Sequence, residues 1–159
     1  MVNPLHSMIG ALDVIRAVRR GIERVGRVEV YGSPEFRGAV VKALRLLRDE
    51  GLPAWHTVTR HVGTIVEGTR TTVKLGARPA LMFIGAPHSR QEQAFLAATI
   101  AYLACSCELH ARYEAEHPGH RVPRDVYAGK PAEERCGEEY RACLRALGTD
   151  PISSPPGRG

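Results

Sequence analysis

Two cysteines one residue apart and three histidines fall within the stretch LACSCELHARYEAEHPGH, Leu103 to His120. Thiolate and imidazole are zinc's preferred ligands, usually arriving as two pairs with short spacers around a tetrahedral ion. Cys105, Cys107 and His110 supply one half of such a group, and His117, His120, Cys136 or Cys143 the other. None of the familiar spacings is present, and free cysteine is among the most commonly buried side chains. Packing is therefore the better reading of the pair, and no cofactor is expected; Cys105, Cys107 and His110 stand as the candidates should a metal bind. Cys136 and Cys143 lie two helical turns apart, about 10 Å by the rise per residue, too far to bridge. No secretory signal opens the chain, so the four cysteines read as reduced thiols.

Other chemistry is poorly represented. The chain has no glycine-rich phosphate loop with lysine, no Gly-x-Ser-x-Gly elbow and no His-Glu-x-x-His. Cysteine and histidine are both present, but nothing places a particular pair together. The expectation is a protein that is not an enzyme and has no small-molecule substrate. The apolar run AFLAATIAYLAC is too short to span a bilayer and reads as core, so no membrane is expected.

Charge carries more information. Residues 1–90 hold 14 Lys and Arg against 7 Asp and Glu, whereas residues 91–159 hold 8 against 10. A basic front half favours a polyanion such as nucleic acid. Arginine supplies 19 of the 22 positive charges; its forked guanidinium suits phosphate, and a GC-rich gene would give the same bias. Arg16, Arg19, Arg20, Arg24 and Arg27 run from the first helix into the first strand, and Arg37, Arg45 and Arg48 lie on the second helix. Together they favour RNA or DNA as the partner.

The elements that must position these groups follow from periodicity. PLHSMIGALDVIRAVRR spaces Leu5, Met8, Ile9, Leu12, Ile15 and Val18 as a helix, with arginines near its end. RVEVYG alternates as a strand. SPEFRGAVVKALRLLRDEGLP has Ser33 as cap, Pro34 at the first position and Gly51 with Pro53 at the stop. Strands are expected near 55–62 and 69–75, with a third after Pro79 and both helices on one face of the sheet. AFLAATIAYLAC is ambiguous between helix and buried strand, and ELHARYEAEH is helical. RVPRDVY reads as a last short strand, PAEERCGEEYRACLRALG as an amphipathic helix over 131–148, and DPISSPPGRG as a disordered tail.

The order of these pieces resembles the bacterial-type eighth protein of the small ribosomal subunit, in a divergent form such as organelle ribosomes carry. PLHSMIGALDVIRAVRR is similar to that family's opening helix, RVEVYGSPEFR to its strand and basic turn, and RLLRDEGLP to the end of its second helix. TTVKLGARPALMFIG resembles its strand pair, and IGAPHSR its loop, keeping Ile84, Pro87 and Arg90. TIAYLACSCELHARYEAEHPGHRV aligns with an apolar strand, at Ile100 and Leu103, running into a Ser-Thr-Ser turn that grips ribosomal RNA. Only Ser106 survives of that triplet; Glu114-Ala115 matches the helix behind it, and Gly119 stands for a double glycine.

The resemblance covers roughly residues 3–123 and implies a structural role. Ser106, with Cys105, Cys107 and Gly119 beside it, would face the RNA, and Arg90, Arg16, Arg19, Arg20 and Arg37 would contact phosphates. The partners implied are small-subunit ribosomal RNA and, through the 131–148 helix, neighbouring ribosomal proteins. Motif erosion, the extension and the basic first helix point to a mitochondrial ribosome, with a cytoplasmic ribosome as the alternative location. The alternative function is a free-standing RNA-binding or zinc-binding regulatory protein. The expected architecture is α+β in two small subdomains. An αβαββ unit covers 1–75, a mainly β RNA-gripping unit with one helix covers 76–123, and 124–159 form a helical extension with the tail.

Overall fold

The computed structural model describes residues 4–150, with side-chain surroundings from residue 10 onward. Helix α1 (Pro4–Arg20) leads into strands β1 (Ile22–Val25) and β2 (Val28–Tyr31), then α2 (Pro34–Asp49) and α3 (Pro53–His61). Strands β3 (Val62–Glu67), β4 (Thr72–Lys74) and β5 (Ala80–Ile84) follow. The chain then turns helical, through α4 (Ala86–Ser89), α5 (Gln93–Glu116), α6 (Arg124–Ala128) and α7 (Lys130–Ala146). The class is α+β with a helical C-terminal extension. The residues expected to form a disordered tail lie, apart from Asp150, outside those described.

The five strands form one sheet in the order β1-β2-β3-β5-β4. Its centre is parallel, because β2 and β5 both run with β3, while β1 and β4 close the edges antiparallel. Parallel neighbours need a crossover, and α2 and α3 provide it between β2 and β3. The expected boundary at 75/76 falls inside this sheet: β5, from beyond it, pairs with both β3 and β4.

Helix α2 forms where its signals lie. Ser33 accepts from the Phe36 amide at 3.3 Å, Pro34 occupies the first turn, and Gly51 takes a left-handed φ of +65° at the stop. Its stripe Phe36, Val40, Val41, Leu44 and Leu47 is buried on the sheet together with α3 and α5. Full burial of each such side chain contributes about 1.5–3 kcal/mol.

Helix α1 covers the opposite face, against Val66, Phe83 and Tyr31, so the two helices do not share one face as expected. It buries Ala17 and Asp13, and Asp13 accepts from the Thr69 amide at 3.2 Å. Leu12, Ile15 and Val18 are half exposed instead of forming the buried stripe. Leu5, Met8 and Ile9 lie outside the described side chains.

Three further expectations change. The 55–62 strand is helix α3, started by Pro53 and packed through Ala54 and Val58; packing overrides the β-branched content of its sequence. RVPRDVY is helix α6. Residues 93–116 are one helix throughout, so the strand placed at Ile100 and Leu103 is absent, and 76–123 hold one strand rather than a mainly β unit. Every residue from Leu96 to Cys107 is buried, by α2, α3 and α7 among others. α5 is long and apolar enough to cross a membrane, yet 67% of its most apolar window is buried inside the protein, which accounts for its composition.

Candidate anion-binding cleft

The residues expected to touch RNA are dispersed. Cys105, Ser106 and Cys107 are in the buried part of α5, each no more than 3% exposed, and none of them stands on an exposed surface as an RNA-facing turn would. This corrects the reading of an RNA-facing strand end: successive residues on a helix point to different faces, and here all of those faces are covered. The Ser106 hydroxyl lies 3.6 Å from the Cys136 sulfur on α7. A hydrogen bond with Cys136, followed by burial, raises the Cys105 thiol far above its ordinary range, and burial pushes Cys143 up to about 12. None of the four cysteines forms a disulfide, and among the described residues no three metal-binding side chains come together.

Arg16 and Arg19 are exposed on α1, and Arg90 stands at the end of α4 beside a shallow hollow with Pro87. Arg20 pairs with Glu67 at 3.2 Å. Arg37 is tucked beneath Gly21, where an added Cβ would come within 2.3 Å of its guanidinium. The apolar stripe of the 131–148 segment packs on α5 inside the chain through Cys136, Tyr140, Cys143 and Leu144, leaving its charged face for any other protein.

What the fold does assemble is a cleft of about 510 Å³. Strands β2, β3 and β5 are parallel and therefore start at the same edge of the sheet, with Val62 in register with Ala80. Just before them come Arg27, the pair Arg60-His61, and Arg78, and all four line the cleft. The opposite wall is the C-terminal half of α5, carrying His110 and Glu114, with Cys107 at its inner end. Gly63 permits the close packing at this edge, since a Cβ there would meet Pro79 at 2.5 Å.

Three arginines face one carboxylate here. Glu114 is already shared, one oxygen on Arg78 and the other 2.8 Å from His110 Nδ1. Arg27 and Arg60 make no ion pair among the described residues. The bond to Glu114 fixes the His110 ring, and Tyr127 meets it edge-on with centroids 5.3 Å apart. When Nδ1–H donates to the carboxylate, Nε2 is the nitrogen left for a ligand. Burial, with Arg78 adding to it, holds His110 below the ordinary imidazole range. Burial likewise lowers His61, against an opposing pull from Glu108.

A second hollow of about 530 Å³ adjoins, sharing Arg78 and Glu114 and adding His117, His120, Arg121 and Gly119. Of the residues singled out in the sequence, Arg27, Cys107, His110, His117, Gly119 and His120 border this region, while Cys105, Ser106, Arg16, Arg19, Arg20, Arg37 and Arg90 do not. Sequence reasoning missed Arg60, His61 and Arg78, which are far apart in the chain. Their shared signal is position: each stands within two residues of a parallel strand's start.

The opposite, carboxyl end of the strands is the usual ligand crevice of open α/β sheets. In this protein it is closed from within. Glu67 accepts from the Ser33 amide at 2.8 Å and its hydroxyl at 3.2 Å, filling the N-terminus of α2 with the chain's own anion. Compared with protein-family models, curated proteins and solved structures, the chain matches none.

Proposed function

We propose that this protein binds single-stranded RNA, without turnover, along the basic edge formed by the two adjoining hollows. The observation carrying this reading is that the cationic groups form a continuous path. Arg27, Arg60 and Arg78 lead into Arg121, while the single carboxylate in the first hollow is matched by Arg78. A lone anionic metabolite would use one hollow, whereas a phosphodiester chain can use both. Concave walls favour a flexible strand over a rigid duplex, and arginine and histidine donors reach both phosphate and the ribose hydroxyl.

The expected grip at Ser106 has no part in this reading, since that residue is core. The finer assignment, to ribosomal RNA within a small ribosomal subunit, rests on the sequence resemblance and is tested alongside. Binding of a fluorescent RNA oligonucleotide is measured as salt is raised. Three phosphate contacts predict a slope of log affinity on log salt of about −2 for a single strand. Absence of salt-dependent RNA binding would sink the reading. Co-sedimentation with the small subunit supports the ribosomal assignment, and a protein found only in low-mass fractions overturns that assignment alone.

A further inference from the structure

We propose that the first hollow seats one RNA phosphate between Arg27, Arg60 and Arg78, with His61 and His110 donating to it as imidazolium ions, so that binding takes up protons. The inference rests on the RNA-binding reading and deepens it by giving the two histidines a role. Its basis is geometric. Both imidazoles line the same cavity as the three arginines, from opposite walls, α3 and α5. The ring of His110 is held by Glu114 through Nδ1, so Nε2 is the atom that remains to meet an incoming oxygen.

The surrounding charges set the direction. His61 is faced by Glu108 and Arg112 from α5 and by Arg60 beside it. His110 is faced by Arg78 from the β4–β5 turn, Glu114 on its own helix and Tyr127 from α6. Arg27 enters from the β1–β2 loop. With the cavity empty, burial and the arginines hold both rings neutral near pH 7. A phosphodiester brings a negative charge into this partly desolvated space and favours the protonated rings. Affinity therefore rises as pH falls, until the pH drops below the pKa values of the empty cleft, where the rings are charged beforehand and the gain levels off.

The test uses the intact protein and a single-stranded RNA without terminal phosphates, so that no ligand group titrates near neutrality. Affinity is measured at constant salt between about pH 8.5 and pH 5.5, and proton uptake is read by calorimetry in two buffers of different ionisation enthalpy. Each histidine whose pKa rises by one unit on binding contributes about tenfold. His61→Gln and His110→Gln should each remove part of the pH dependence. The double variant should remove most of it while still binding at high pH. His88→Gln, altering a half-buried histidine bonded to Thr71 and outside the cleft, should retain the full dependence, which separates the effect from a general loss of folding. RNA binding that is flat with pH, or unchanged pH dependence in the double variant, overturns the proton-linked seat and leaves RNA binding standing. No RNA binding at either pH overturns the RNA reading itself and this inference with it.

Discussion

The three parallel strands have two contrasting ends. Where β2 and β3 finish, Glu67 lies across the start of α2, bonded to Ser33 and paired with Arg20. Where β2, β3 and β5 begin, Arg27, Arg60, His61 and Arg78 surround an open cleft whose one carboxylate is already matched. Both ends concentrate charge, yet at one of them the position an anion would take is already filled by Glu67. A helix N-terminus and an arginine cluster are equally attractive to an anion in isolation. Which of them is available depends on whether the chain fills the position itself.

The largest effect should come from opening the closed end. Glu67→Ala removes an acceptor of two hydrogen bonds and one ion-pair partner, and bonds to charged groups are worth about 1.5–3 kcal/mol. Denaturant unfolding should show a loss of about 2–3 kcal/mol, with RNA affinity little altered. A marked gain in RNA affinity would place the RNA path at the carboxyl end and break the contrast. Arg60→Glu probes the open end. Arg60 is exposed and free of ion pairs, so stability should move by no more than about 0.5 kcal/mol. RNA affinity should fall at least about tenfold, or about 1.4 kcal/mol, as an attractive contact becomes repulsive. Unchanged affinity would exclude this edge as the RNA surface.

How much of this was legible in the sequence depended on how local each signal was. Helix α2 was readable to within a residue or two because cap, proline, stripe and stop all lie inside it. The hairpin strand β1 was not anticipated, although Gly26, with φ of +58° at the first place of a two-residue loop, is its turn signal. Helix α5 shows the opposite difficulty. Its first half is buried all round, so the sequence carries no polar face and no 3.6-residue period to distinguish helix from strand. The family resemblance puts a strand there, and with it an RNA grip at Ser106. The second half of the same helix carries the cleft wall, where the sequence marks His110 only as a ligand candidate and Glu114 only as a motif match. Arg60 and Arg78 carried no local mark, because the parallel pairing of Val62 with Ala80 is what unites them.

Ser106→Ala sharpens that correction. The hydroxyl is fully buried beside Cys136, and losing one buried hydrogen bond costs about 1 kcal/mol. Thermal melting should register a modest drop while RNA affinity stays at the wild-type value. A large affinity loss with unchanged stability would restore Ser106 as an RNA contact.

The smallest expected effect is the dependence of stability on pH, and its response to RNA distinguishes the two ends again. His61, His88 and His110 all sit below the ordinary imidazole value of 6.5 in the folded protein because burial penalises their charged forms. The unfolded chain therefore binds more protons than the folded one as pH drops through that value, so stability is lost on acidification and the loss is complete below the folded pKa values. The melting temperature of the free protein should fall between about pH 7.5 and pH 5.5. Saturating RNA should cancel the share due to His61 and His110, since the phosphate stabilises their charged rings. The share due to His88 should persist, because its Nδ1 is bonded to Thr71 at 2.6 Å, next to Gly85 where β5 ends. His88→Gln in the presence of RNA should therefore flatten the remaining dependence, and a pH profile that RNA leaves untouched would show that no anion reaches the cleft histidines.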